Sequence, residues 1–507
     1  METQNYTKKA IKNFIIITIF TLSAALVSYI YRIFLARSLT VEEYGLFFSV
    51  FSLVALIYSF RDISFYESLT KFIPEFKVNK DEKSIKESFV YVTIIGFIMS
   101  IIIFILFIIF SGFLAKNYIH DVASMPLIIL VAISFILYGG ELLLKQTFQG
   151  YQEMILFSTI GLFKSVFIFA LTYVFLKLGL GLIGISYAYI LAPVLTITIY
   201  SFIFFKKVFP NFFLIKINYN KPLLKRLFRF AIPTFLGVGF GVIITYTDII
   251  MLTLFSGVFY VGLYNIALPT ANFLAYITIG FRNVIYPLSS ELWSKKHMEH
   301  LSQGIVLIYK YSFIIFIPIL IILIFFSEII IKTLFGQEYI GANNTLKILS
   351  IGIFILSVAQ INYAVLAGIG KPELNTKTSF IAALLNIVLN AILIPFFNII
   401  GAALATLICY LFMFIASFKN IKSKIQLNIP FIIWLKTIIA GAVFLIVVNL
   451  TILLFGLNEL NALIAIIVAL IFYILSLFVL KVVTITEIKD ICKRIDVVKN
   501  GQSNNLG

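Results

Sequence analysis

Fourteen stretches of about 20 apolar residues, separated by polar segments, leave this chain one kind of fold: a set of helices that each cross a bilayer. In lipid a backbone must satisfy its hydrogen bonds within its own segment or in a closed barrel, and runs of this length suit helices rising 1.5 Å per residue. Six windows fall at 14–35, 45–65, 89–113, 125–144, 155–176 and 181–205. Six more fall at 230–254, 260–281, 306–326, 346–366, 379–396 and 401–418, and a last pair at 431–455 and 461–480. A mean hydropathy of +1.08 with 12% charged residues excludes a water-soluble globule.

The first twelve windows repeat. Tyr44-Gly45-Leu46-Phe47 matches Val261-Gly262-Leu263-Tyr264, and Gly184-Ile185-Ser186-Tyr187-Ala188 matches Gly401-Ala402-Ala403-Leu404-Ala405, both at an offset of 217 residues. Gln149-Gly150-Tyr151-Gln152 pairs with Ala367-Gly368-Ile369-Gly370 one residue off that register. Six crossings separate each residue from its partner, so the copies enter the membrane in the same sense. The expected organisation is an all-α polytopic membrane protein. It comprises a six-helix lobe at 1–215, a second at 216–430, two further helices within 431–480 and a basic tail at 481–507.

Charge gives the orientation. With the N-terminus inside, thirty Lys and Arg lie in inner segments and four, Arg37, Lys116, Lys177 and Lys332, in outer loops. This predicts a cytoplasmic membrane protein with both termini cytoplasmic. The net charge of +17 is thereby explained without nucleic acid. The linker 206–229, with seven basic residues and no acidic one, is expected to lie against anionic headgroups. The apolar segment after Lys8, Lys9 and Lys12 lacks a small-residue cleavage pattern and reads as a retained helix. Cys409 and Cys492 lie in different environments and imply no disulfide. The 54 Phe residues suit a lipid-facing surface. Short outer loops argue against a membrane glycosyltransferase or polymerase.

No catalytic constellation or metal site is expected. Gly370-Lys371-Pro372 lacks the spacing of a phosphate loop, and His297-Met298-Glu299-His300 lacks the His-Glu-x-x-His order. Ionisable residues inside apolar windows are more informative, because each costs roughly 2.5–3.5 kcal/mol at a helix centre unless it faces a cavity or a partner. These are Arg32, Glu141, Lys164 and Asp248. Lys310, Lys347 and Lys436 lie near window ends, where they can snorkel. Arg32 and Asp248 are 216 apart, one short of the repeat, which suggests a gate pair across the pseudo-twofold axis, a static buried ion pair or two separate cavity residues. Lys164 either lines the cleft or pairs with Glu141. Arg61 and Arg282, 221 apart, suit a cationic ring at the inner mouth, where guanidinium forks match phosphate oxygens, or ordinary cytoplasmic anchoring. Gly237 and Gly241 give a small-xxx-small helix face.

Several motifs carry a family likeness. Arg37-Ser38-Leu39, Glu43-Tyr44-Gly45-Leu46-Phe47 and Lys71-Phe72-Ile73-Pro74-Glu75-Phe76 occur in the first half. Asp248-Ile249-Ile250-Met251-Leu252, Val261-Gly262-Leu263-Tyr264-Asn265-Ile266-Ala267, Leu334-Phe335-Gly336-Gln337-Glu338-Tyr339 and Leu346-Lys347-Ile348-Leu349 occur in the second. Together they resemble the polysaccharide transporter (O-antigen flippase) family of the multidrug/oligosaccharidyl-lipid/polysaccharide exporter superfamily. The chain reads Asp62-Ile63-Ser64 where that family often has Asp-x-Gly. The resemblance implies two six-helix lobes around a central V-shaped cavity with alternating access.

The expected activity is flipping of a polyprenyl-pyrophosphate saccharide to the outer leaflet. Arg32, Arg61, Lys164 and Arg282 would bind phosphates or sugar acids, and Asp248 with Arg32 would form the gate or couple to H+ or Na+. No other cofactor is implied. Expected partners are the lipid-linked saccharide, membrane lipids and glycan-assembly enzymes. A multidrug exporter is the alternative, although its cavity would more naturally be acidic.

Overall fold

A computed structural model describes residues 2–61, 64–427, 430–456, 458–484 and 486–487. Its side chains are described from Ile16 onward, except at 236–238. The side chains of Lys8, Lys9 and Lys12, residues Asp62 and Ile63, the Gly237 position, Cys492 and the residues from 488 on lie outside this description.

The described chain is helical. In order come α1 (Glu2–Ser38), α2 (Val41–Tyr58), α3 (Phe65–Val78), α4 (Glu82–Leu114), α5 (Met125–Tyr151), α6 (Met154–Lys177), α7 (Gly181–Ile203) and α8 (Lys221–Phe255). Then follow α9 (Val258–Ala271), α10 (Phe273–Ser294), α11 (Met298–Phe325), α12 (Ser327–Leu334), α13 (Asn343–Gly368), α14 (Pro372–Lys422), α15 (Phe431–Phe455) and α16 (Glu459–Val479). Side chains close the helix starts where free backbone N–H groups would otherwise be left. Thr40 and Glu43 form a capping box on α2, and Asp81, Asn220 and Asn458 cap α4, α8 and α16.

Among the described residues twelve helices are long and apolar enough to cross a membrane, or thirteen when the bent pair Lys221–Phe235 and Gly239–Phe255 counts as one span. The sequence predicts fourteen; the bent pair supplies the thirteenth, and α14, which holds two of the expected windows, the fourteenth. Asn386 and Thr406 both bond the same Asp248 carboxylate, although 20 residues of straight helix would set them about 30 Å apart. The chain therefore reverses between them, at Asn398, whose φ of 47° and ψ of −127° break the helix. Each arm corresponds to one expected window.

One expected loop is a helix. Residues 65–78 were counted as part of a polar segment, yet Phe65, Leu69, Phe72, Ile73 and Phe76 recur at helical spacing and pack into a core with Phe148, Phe204 and Leu227. The linker is likewise built in. Phe209 and Phe212 are buried in that core, whereas its lysines and arginines stay exposed. Glu87 on α4 accepts from the Asn218 N–H at 3.3 Å and from Asn220 Nδ2 at 3.0 Å. The Tyr91 hydroxyl accepts from the Asn220 N–H at 2.7 Å and donates to the Asn218 carbonyl at 3.0 Å, and Lys86 Nζ donates to the Ile215 carbonyl at 2.7 Å.

The helices group into two compact units that interleave along the chain. The first contains residues 1–270, 334–345 and 373–413; the second contains 271–333, 346–372 and 414–507. In the second, α15 and α16 pack on α11 around a core that holds Phe444 with Ala462, Ala465 and Ala469, the alanines allowing close approach. Tyr473 Oη donates to the Ile314 carbonyl at 2.8 Å. Lys310 does not snorkel. It is 7% exposed and donates to both Glu487 carboxylate oxygens, at 2.7 and 2.9 Å. Large apolar side chains such as Phe97, Ile98, Ile109 and Phe202 point outward, as a lipid-facing surface requires.

Repeat-related glycines make repeat-related contacts. A Cβ on Gly150 would lie 2.8 Å from the Leu69 carbonyl oxygen in the first unit, and one on Gly368 would lie 2.6 Å from that of Tyr286 in the second. Leu69 and Tyr286 are themselves 217 apart.

Candidate functional site

The first unit holds two neighbouring cavities. The larger, about 260 Å³, is lined by Arg32 on α1 and Lys164 on α6, with the hydroxyls of Ser28, Ser134, Ser165 and Tyr189 around them. No carboxylate is among its lining residues. The Arg32 guanidinium lies 4.5 Å from the Phe48 ring centre and donates to the Asn265 carbonyl at 3.5 Å. Lys164 Nζ does both things expected of it. It lines the cavity, 4.1 Å from the Tyr138 ring centre, and pairs with Glu141 on α5 at 3.2 Å.

The second cavity, about 230 Å³, is lined by Arg61, Tyr58, Ser59, Ser64 and Glu67. Arg61 follows the last turn of α2 and is 3% exposed. Its Nη1 donates to the Phe135 carbonyl at 2.9 Å, and its Nε is buried without a hydrogen-bond partner. The guanidinium fits there because position 139 is glycine: a Cβ would sit 2.8 Å from Nη1. Among the described residues Arg61 makes no ion pair. Arg282 belongs to the second unit, where it is exposed and donates to Gln360 Oε1 at 3.1 Å.

Arg32 and Asp248 are not brought together as a pair. Asp248, 4% exposed, accepts from Tyr264 Oη at 2.6 Å, Thr406 Oγ1 at 2.5 Å, Asn390 Nδ2 at 2.7 Å and Asn386 Nδ2 at 3.1 Å. The reason lies in the register. At an offset of 217 the counterpart of Asp248 is Tyr31, and the counterpart of Thr406 is Tyr189. Tyr31 and Tyr189 sit together in the first repeat, their ring centres 6.3 Å apart, with Thr172 Oγ1 3.4 Å from Tyr31 Oη. One residue along a helix is a turn of about 100°, so Tyr31, and not Arg32, occupies the position equivalent to Asp248, although both line the cavity.

Residue-by-residue reading of the sequence missed the groups around Asp248. Asn386 and Asn390 carry a signal, since two asparagines four apart in an apolar window share a helix face. Their Oδ1 atoms are buried without a hydrogen-bond partner. Asp248 makes no ion pair among the described residues. The site therefore holds one buried carboxylate whose partners among the described residues are four neutral donors.

Comparison with known proteins agrees with this architecture. Residues 10–293, more than half of the chain, match the family described as polysaccharide biosynthesis protein, and residues 233–392 match the MatE family. An uncharacterized membrane protein of Methanocaldococcus jannaschii, MJ1068, is 31% identical over 97% of this chain and 99% of its own length. The probable low-salt glycan biosynthesis flippase Agl15 of Haloferax volcanii is 28% identical over 42% of this chain and 48% of its own length. Among solved structures, the lipid II flippase MurJ in an inward closed conformation superposes with a TM-score of 0.71 at 15% identity, covering 91% of this chain and 98% of MurJ. An inward-facing multidrug resistance MATE transporter of the MOP superfamily superposes at 0.68 with 16% identity, covering 80% of this chain and 98% of the transporter. The likeness to these two structures is one of fold. The family match and the full-length relative together place this multi-pass membrane protein in the polysaccharide biosynthesis protein family.

Proposed function

We propose that the chain is a flippase for a polyprenyl-pyrophosphate saccharide, moving it from the cytoplasmic to the outer leaflet by alternating access between lobes 1–215 and 216–430. The observation that carries this reading is the membrane-embedded cavity bearing Arg32 and Lys164, ringed by hydroxyls and lined by no carboxylate. Saccharide hydroxyls and a pyrophosphate cannot enter hydrocarbon without partners for the water they lose. A cationic, hydroxyl-rich chamber supplies those partners while the polyprenyl tail stays in lipid. The family match and the likeness to Agl15 and MurJ support the same assignment.

In this reading both termini are cytoplasmic, as the thirty-to-four distribution of basic residues predicts. Arg61 and Arg282 bind phosphate at the inner side, and glycan-assembly enzymes deliver the substrate. Asp248 is the coupling group. A buried carboxylate without a cationic partner is costly unless neutralised, and H+ or Na+ at Asp248 would neutralise it. Each charge moved across 100 mV would then contribute about 2.3 kcal/mol to the cycle.

The test is translocation of a fluorescent polyprenyl-pyrophosphate oligosaccharide in proteoliposomes, with and without a proton or sodium gradient. Gradient-stimulated flipping supports the proposal. The MatE match at 233–392 favours a second reading, export of organic cations. Absence of saccharide flipping with uptake of such cations would establish that reading instead.

A further inference from the structure

The two cavities of the first unit meet at an aromatic partition, since Phe135, Tyr138 and Tyr246 line both of them. A cation stands in each chamber, Arg32 in one and Arg61 in the other, and neither makes an ion pair among the described residues. The Arg61 side chain is 3% exposed, with its Nε unbonded. Lys164 Nζ lies 4.1 Å from the Tyr138 ring centre, and the Tyr138 and Tyr246 rings line both chambers. Aromatic faces of this kind pack against the C–H face of a sugar ring, while hydroxyls on both sides reach its polar edge. Arg32 and Arg61 line different chambers, so two anionic groups, one on each side of the partition, match them.

We propose, building on the flippase reading, that the saccharide is acidic: the pyrophosphate sits at Arg61, a sugar spans the Phe135–Tyr138–Tyr246 partition, and a carboxylate or sulfate on the sugar is held by Arg32. The order follows from Arg61 lying at the end of α2 that the proposed topology makes cytoplasmic, level with the headgroups from which a lipid-linked phosphate enters. Arg32 thereby sets substrate selectivity, and Tyr138 and Tyr246 set the grip on the sugar.

The experiment compares two polyprenyl-pyrophosphate disaccharides, differing only in a terminal glucose or glucuronate, flipped by the full chain in proteoliposomes. The wild type is expected to flip the acidic substrate about tenfold faster, the worth of one charge-assisted contact. Arg32→Gln should bring the acidic-to-neutral ratio near one and Arg32→Lys should restore part of it; a ratio is independent of how much variant folds. Tyr138→Leu should weaken binding of both disaccharide lipids relative to polyprenyl pyrophosphate without sugar. Equal rates for the two substrates in wild type, or a ratio unchanged by Arg32→Gln, would overturn the proposal while leaving the flippase reading intact. No flipping of either lipid-linked sugar would overturn both.

Discussion

Gly45 and Gly262, equivalent residues of the two repeats, lie against each other where α2 crosses α9. A Cβ at Gly45 would fall 1.8 Å from the Val258 carbonyl oxygen, and a Cβ at Gly262 would fall 2.3 Å from that of Val41. Val41 and Val258 are also 217 apart, so the contact is reciprocal, as at a twofold interface. Both helices approach backbone to backbone, which a methyl group on either would prevent. Gly45→Ala and Gly262→Ala should each destabilise the protein by about 1–3 kcal/mol, the usual cost of overpacking. Thermal unfolding followed by size-exclusion in detergent would reveal it, and two unchanged melting temperatures would contradict the contact.

Asp248 should be the group through which an ion acts. Asp248→Asn presents an amide to at least one of four donors and removes the charge, leaving buried polar atoms unsatisfied at about 1–3 kcal/mol. The expected result is flipping that no longer responds to a sodium or proton gradient, and loss of any stabilisation of the protein by sodium. A variant that keeps its gradient response would move coupling elsewhere.

Glu141 and Lys164 should behave as a unit. Lys164→Met strands Glu141, which is 3% exposed, and removing one member of a buried pair costs about 3–5 kcal/mol. The double variant Glu141→Leu/Lys164→Met should recover most of that stability without recovering transport. A double-mutant cycle on melting temperature, run beside the flipping assay, separates the two effects. Recovered transport would remove Lys164 from the binding cavity.

The contact between Glu487 and Lys310 should open in acid. Burial alone would raise the Glu487 pKa, but hydrogen bonds from Lys310 and the Thr484 N–H, with the attraction of the ammonium, hold it below the ordinary 4.5. A depressed carboxylate pKa contributes stability above its unfolded value, which is lost as pH falls through the folded one. Cleavage after residue 480 by an acid-active protease should therefore rise below about pH 4, and Glu487→Gln should show the raised rate already at neutral pH. Equal protection of variant and wild type at pH 7 would show the contact to be incidental.

Span positions, the duplication and the cationic character of the cavity were legible in the sequence, because apolar run length and charge placement act locally. The partner of Asp248 was not, because an error of one residue in register turns a helix face by about 100° and exchanges Tyr31 for Arg32. Helix α3 escaped notice since it is amphipathic rather than uniformly apolar. Phe135, Tyr138 and Tyr246 carried no contrast in a chain with 54 Phe and 26 Tyr, where most aromatic residues serve lipid contact or packing. Asn386 and Asn390 were the missed legible signal, two amides on one face of a membrane helix.

The fastening of residues 215–220 to α4 also bears on how such a duplicated chain stays a single molecule. Exchange of a second copy between two chains needs a connecting segment free to open outward. Here five hydrogen bonds from Lys86, Glu87 and Tyr91 hold that segment against its own first copy. An opening of this segment would have to break all five, so the contacts oppose such an exchange.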